Sequence, residues 1–187
     1  MKRKTLLCAF LVIIGALLSY GTVSYFATDG TAVNVITAGN IKVELLENSL
    51  KDRKKVPFEN KISVVPDTSV SKIVTVRNTG NSPEYVRVSV NKEIVPVGGE
   101  GDENGGSLIE MDFNTEYWTE RDGYWYYRMA LEGGGETEPL FTKVTFSKDM
   151  KNLYQNSTAQ LDIKAFSVQS ANNGDSPVTA VGWTDNR

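Results

Sequence analysis

With no histidine among its 187 residues, the chain can build neither a Ser-His-Asp nor a Cys-His nucleophile, nor the paired histidines of an H-E-x-x-H zinc site. Its 23 acidic residues leave carboxylate pairs at separations workable for glycoside hydrolysis, but nothing singles out one pair. Asp102, Glu103 and Asn104 are oxygen ligands on adjacent residues, whose side chains diverge. A calcium loop instead alternates its ligands and closes on a bidentate carboxylate. No glycine-rich loop leads from a strand into a helix to cradle phosphate. The residues therefore predict no enzyme, no cofactor and no metal. Two clusters could still bind something. Trp118, Tyr124 and Trp125 belong to a dense aromatic stretch that could present a sugar-stacking surface, or fill the core and pair across strands. The run KDRKK at Lys51–Lys55 could meet an anionic polymer such as cell-wall phosphate, or simply be a solvated loop.

The start of the chain bears on where such binding would take place. Lys2, Arg3 and Lys4 precede an uninterrupted apolar run, Leu6 to Leu18, and small residues follow it. A basic segment, a short apolar segment and a small-residue exit are the parts of a secretory signal. The run is shorter than the roughly 20 residues of a spanning helix. Thr22 and Ser24 suit the −3 and −1 positions of a cut between Ser24 and Tyr25, giving a signal helix within residues 1–24 and one domain, 25–187. An uncleaved anchor is the alternative. Cys8 lies at the start of the apolar run, not at its end, which argues against lipidation. Removing 24 of 187 residues leaves 163 without cysteine, so stability must come from a buried core and ladder hydrogen bonds. Three of the 20 cations go with the leader, leaving 17 against 23 acids, a net of −6. That balance predicts no nucleic-acid partner.

The remaining chain reads as short strands and turns. Ile41–Leu45, Lys61–Val65, Val70–Asn78, Glu84–Val95, Leu108–Phe113, Leu140–Phe146 and Thr158–Gln169 are β-branched or alternate with period two. Asp122-Gly123 between aromatic runs predicts a hairpin, and NTGNSP between Val70–Asn78 and Glu84–Val95 predicts another. Asn48–Asn60 reads as a charged loop, and Gly98–Gly106 as an acidic one. Leu140, Thr142, Val144 and Phe146 are expected on one face. In Thr158–Gln169 the apolar phase slips at Ala165-Phe166, which predicts a bulge or an end buried on both sides. Ser147–Gln155 is the best short helix, capped by Ser147. Pro177 can open a last turn that lays Trp183 on the body. This pattern predicts an all-β antiparallel sandwich, jelly-roll-like or immunoglobulin-like.

Four stretches carry a family resemblance: YFATDGTAVNVITAGNIKVEL behind the leader, VTVRNTGNSPEYVRVSV, DGYWYYRMALEGGGETEPLFTKVTF, and LDIKAFSVQSANN with the later AVGW. In order and spacing the chain resembles the TasA/camelysin-type exported proteins of Gram-positive bacteria, in particular their small uncharacterised members. The resemblance implies processing by a SipW-type signal peptidase and a jelly-roll-like sandwich at the cell surface or in the biofilm matrix. It also implies self-association or association with related matrix subunits, an N-terminal strand of one subunit completing the sheet of the next. On this chain the donor would be Tyr25–Ile36, with Phe26, Val33 and Val35 as anchors; the same segment could equally be the first strand of its own sheet. Camelysin-like members are described as metalloproteases, an activity not carried over to a chain without histidine. The other function open to the chain is a surface module that binds glycan or wall polymer.

Overall fold

A computed structural model describes residues 37–38, 41–58, 62–96, 99, 104–150, 154 and 157–183, within the compact unit Val33–Arg187. The architecture is an all-β antiparallel sandwich. One sheet runs β1 (Thr37–Ala38), β2 (Ile41–Lys51), β5 (Ser69–Asn78), β10 (Phe141–Phe146), β7 (Ile109–Met111), with β3 (Lys54–Pro57) folded onto β2. The other runs β4 (Ile62–Ser63), β11 (Thr158–Gln169), β6 (Glu84–Val95), β9 (Tyr124–Tyr127), β8 (Trp118–Arg121). Set aside the short β1, β3 and β4 and number the rest in chain order. One sheet then contains the run second–seventh–fourth, and the other the run eighth–third–sixth. These are the pairings of a jelly roll. The first and fifth strands differ from that plan, each lying at an edge beside its neighbour in sequence. An immunoglobulin sandwich would flank its second strand with the first and fifth.

Period-two alternation supplies the core. Val43 and Leu45 of β2, Val74 and Val76 of β5, and Val86 and Val88 of β6 meet Trp118, Phe141, Val144 and Phe146 between the sheets. Asp122 and Gly123, at φ 53° and 80°, form the expected hairpin turn, with Arg121 opposite Tyr124.

NTGNSP does not close a hairpin. β5 and β6 lie in different sheets, and the link between them arches from one to the other. Asn78, fully buried, organises the arch. Its Nδ2 donates to the carbonyls of Ser82 (2.8 Å) and Leu131 (3.0 Å), and its Oδ1 accepts from Gly80 N–H (2.8 Å). Those bonds satisfy main-chain groups that a hairpin ladder would otherwise have taken.

The charged stretch after β2 is likewise a hairpin in its first half rather than a loop. Asp52 and Arg53 both have left-handed φ, 51° and 65°, the geometry of a two-residue type I′ turn joining β2 to β3. Pro57 lies opposite Asn48 at the end of β3, where an edge strand tolerates a missing N–H. In the acidic stretch before β7, Asn104–Leu108 forms a 3-10 turn that buries Gly105 and Gly106. A Cβ on Gly106 would run into the Lys92 carbonyl.

Thr142 is exposed, not on the face of Leu140, Val144 and Phe146, because β10 shifts register against β5 between Phe141 and Lys143. Asp112 fills that irregularity, accepting from Thr142 N–H (2.9 Å), Thr142 Oγ1–H (2.6 Å) and Lys143 N–H (2.7 Å). β11, by contrast, pairs with β6 without a break from Thr158–Val95 to Gln169–Glu84. Its phase slip therefore marks burial on both faces, with Ala165 inward, Phe166 against the Tyr124 ring and Val168 beneath the C-terminal segment. That segment makes the expected last turn, Ala180 N–H donating to Ser176 O (3.1 Å), and Trp183 packs on Tyr126 with ring centroids 5.8 Å apart.

Where the short helix was expected, Met150 N–H donates to Ser147 O and Asp149 N–H to Ser147 Oγ, both at 3.2 Å. The described part is thus a capped turn, followed by Tyr154 in 3-10 conformation. The leader, the cleavage residues Ser24 and Tyr25, and the donor residues Phe26, Val33 and Val35 lie outside the described residues.

Candidate functional site

Among the described residues, the outer edge of β2 is paired at its two ends and has no strand beside it between them. β1 pairs with Ile41 and Lys42, and β3 with Asn48 to Lys51. Lys42 O accepts from Thr79 N–H on the β5 side at 2.8 Å. Main-chain groups alternate in direction along a strand, so Glu44, Leu46 and Asn48 also turn theirs toward β5, while Val43, Leu45 and Glu47 turn theirs outward. Glu47 O is taken by Phe58 N–H (3.0 Å). Among the described residues no strand pairs with the outward groups of Val43 and Leu45. Their side chains point into the core, 0% and 8% exposed. An edge with a buried inner face and unpaired amides is a template for one more strand.

Each end of this edge carries a buried ionisable group. At the end where β2 begins, Glu84 of β6 is 1% exposed and its Oε1 accepts from Lys42 N–H at 3.2 Å, tying the two sheets together. Burial pushes its carboxyl above the usual range, opposed by Ser167 and by that N–H. At the other end Lys72, 2% exposed, meets Glu47 at 2.9 Å and lies 3.8 Å from the centre of the Phe58 ring. Burial pushes this ammonium down while Glu47 raises it. Beside that pair runs a groove of about 410 Å³, with Leu50, Val56, Phe58, Ile62 and Val70 among its walls. The hairpin above it carries Lys51, Arg53, Lys54 and Lys55, all exposed.

The three aromatic residues do not form one patch. Trp118 is fully buried, its Nε1–H donating to Glu138 O (3.0 Å) and its ring 5.1 Å from that of Tyr127. Trp125 points inward too, stacked on Phe113 at 4.1 Å. Tyr124 lies on the opposite face of β9, against the guanidinium of Arg87 at 3.9 Å. Alternation along YWYY separates these side chains, so they share no one stacking surface, and Trp118 and Trp125 follow the core-filling reading. Arg87 went unnoticed in the sequence. It is 5% exposed, with the rings of Tyr124, Trp183, Phe166 and Tyr126 at 3.9, 4.7, 5.4 and 6.0 Å. Glu84 also escaped notice, since an acid at the start of a strand resembles any solvated end. Among the described residues no three metal-ligating side chains gather.

No family model, curated protein or solved structure matches the chain.

Proposed function

We propose that the protein is an exported structural subunit of the cell surface or biofilm matrix, and that its copies join by strand addition along the outer edge of β2. The observation that carries this reading is the run Val43 to Leu45 between β1 and β3, packed inward and, among the described residues, without a strand on its outer side. An added strand gains main-chain bonds there, and alternate side-chain sites give it a register. Tyr25–Ile36, freed by a SipW-type signal peptidase cutting after Ser24, is the proposed donor. Head-to-tail addition that does not close yields filaments. The family resemblance points the same way.

Register favours a donor from another copy. Thr37 lies opposite Lys42 and Ala38 opposite Ile41. Continued within one chain, that register would set Ile36 inward against Val43, but also Asn34 inward against Leu45. Val35 and Val33 would then fall on the outer face, opposite Glu44 and Leu46. A strand from elsewhere is free to slip by one residue and turn both valines into the core. Electron microscopy of secreted protein tests the proposal: the parent forms fibres, and deletion of Tyr25–Ile36 leaves soluble monomer. Fibres that survive the deletion refute it.

A second reading rests on the hairpin tip. Lys51, Arg53, Lys54 and Lys55 project from a tight turn beside an apolar groove, a surface suited to an anionic wall polymer. Reversing those charges should abolish retention on purified wall polymer and leave fibres intact; retention by the charge-reversed protein excludes this reading.

A further inference from the structure

Among the described residues Glu84 is the only acidic side chain in the fully buried set. Its position is as unusual as its burial. Oε1 holds the Lys42 N–H at 3.2 Å, and Lys42 O is held in turn by the N–H and hydroxyl of Thr79 at 2.8 and 3.1 Å. These contacts fix the first residues of β2, where the chain enters the proposed acceptor edge. Oε2 and the Ser167 hydroxyl are both buried.

Among the described residues no cation faces this carboxyl. β2 offers the Lys42 N–H, while the Lys42 side chain is exposed. β11 offers Ser167 and, opposite Glu84 in the ladder, Gln169. The bridge on the other side brings Leu131, and the side chain of Glu132 beyond it is exposed. From β5 comes Asn78, whose amide is spent on Ser82 and Leu131. Arg87 of β6 itself points to the opposite face. A neutral carboxyl suits such surroundings: Oε1 keeps the Lys42 N–H and no buried charge is left without a counter-charge. An ionised one leaves a buried charge without a counter-charge, a state relieved by opening the site to water.

We propose that Glu84 is a pH-operated latch on the start of β2: neutral, it clamps Lys42 to β6; ionised, its proton lost to solvent, it releases Ile41–Leu46. Its bearing on assembly rests on the strand-addition reading, since release at this end frees the edge and the chain before it for exchange between copies. Because the closed-state pKa is raised, the clamp is complete below the open-state value of about 4.3. It weakens as pH rises from there to the closed-state value, where the effect levels off. Across that window the opening equilibrium rises by up to about tenfold per pH unit.

Hydrogen exchange on purified protein, corrected for the intrinsic pH dependence of exchange, reads the latch directly. Protection of the Lys42–Leu46 amides should fall across the window while that of β9 stays constant, and Glu84→Gln should be flat. Ser167→Ala supplies a second variant; without the hydroxyl the carboxyl titrates higher and the window extends upward. Identical profiles in the parent and both variants, or a loss of protection shared equally by β9, overturns the latch. Fibre yield at each pH is scored separately. A working latch without fibres at any pH leaves this inference standing and removes the assembly reading.

Discussion

Replacing Arg87 with alanine should cost on the order of 3 kcal/mol of stability, and the loss should begin at the C-terminal segment. The guanidinium lies 3.9 Å from the Tyr124 ring and 4.7 Å from that of Trp183, with Phe166 and Tyr126 at 5.4 and 6.0 Å. At 5% exposure it sits at the desolvated end of cation–π energies, about 2 kcal/mol. Its Nη1–H donates to Tyr126 Oη at 3.3 Å, a long bond contributing about 0.5 kcal/mol. The buried aliphatic stem adds roughly 1 kcal/mol. At about 2–4 °C per kcal/mol for a domain of this size, Tm should fall by roughly 6–12 °C. Lysine keeps the charge but not the planar stack, so Arg87→Lys should lose about half as much. Thermal unfolding followed by near-ultraviolet circular dichroism gives the magnitude, and limited proteolysis shows whether residues 170–183 come loose first. A Tm within about 2 °C of the parent would refute the assigned energy. A fully protected C-terminal segment in Arg87→Ala would refute the assigned role.

Two further substitutions probe the fold that holds the edge. Partial burial pushes the Asp112 carboxyl up, but the bonds from the Thr142 hydroxyl and the N–H groups of Thr142 and Lys143 outweigh this and hold its pKa below the ordinary value. Its stabilisation is complete above the unfolded value of about 3.9 and is lost as pH falls through the depressed one. Asp112→Asn should therefore flatten acid unfolding below about pH 4, and an unchanged acid limb in a pH titration of stability counts against that account. Asn78→Ala leaves the Ser82 and Leu131 carbonyls and the Gly80 N–H without their partner; denaturant unfolding should register a loss of roughly 2–4 kcal/mol, and less than about 1 would mean that the arch holds without it.

Features set by neighbouring residues could be read from the chain, whereas those set by distant ones could not. Asp122-Gly123 announces its hairpin because both residues reach a left-handed φ easily, and it is found as read. NTGNSP looks the same locally, but a turn between two strands is silent on whether they join one sheet or two. Here the decision falls to the buried side chain of Asn78, which bonds to Leu131 far along the chain. Asp52-Arg53 was hidden by its charges: neither residue is a glycine, and the cluster around them resembles a solvated loop. Thr142 breaks phase because Asp112 of another segment fills a bulge. The aromatic run left two readings open, and period two decides between them by sending Trp125 inward and Tyr124 outward. The edge of β2 that has no partner among the described residues had no signature at all. Val43–Glu47 reads as an ordinary strand, and its outer side appears only once the registers of β1 and β3 are known.

The longest ladder in the molecule also constrains when the fold can form. β6 has β11 along its whole length on one side and only the short β9 on the other, over Arg87 to Ser89. Even the ladder pair closest in sequence, Val95 with Thr158, joins segments separated by β7, β8, β9 and β10. The centre of the second sheet therefore cannot zip until nearly the last strand has left the ribosome. Chains dominated by such distant pairings close slowly. Until Thr158–Gln169 emerges, β6 has no partner along most of its length, so the second sheet waits on the end of the chain.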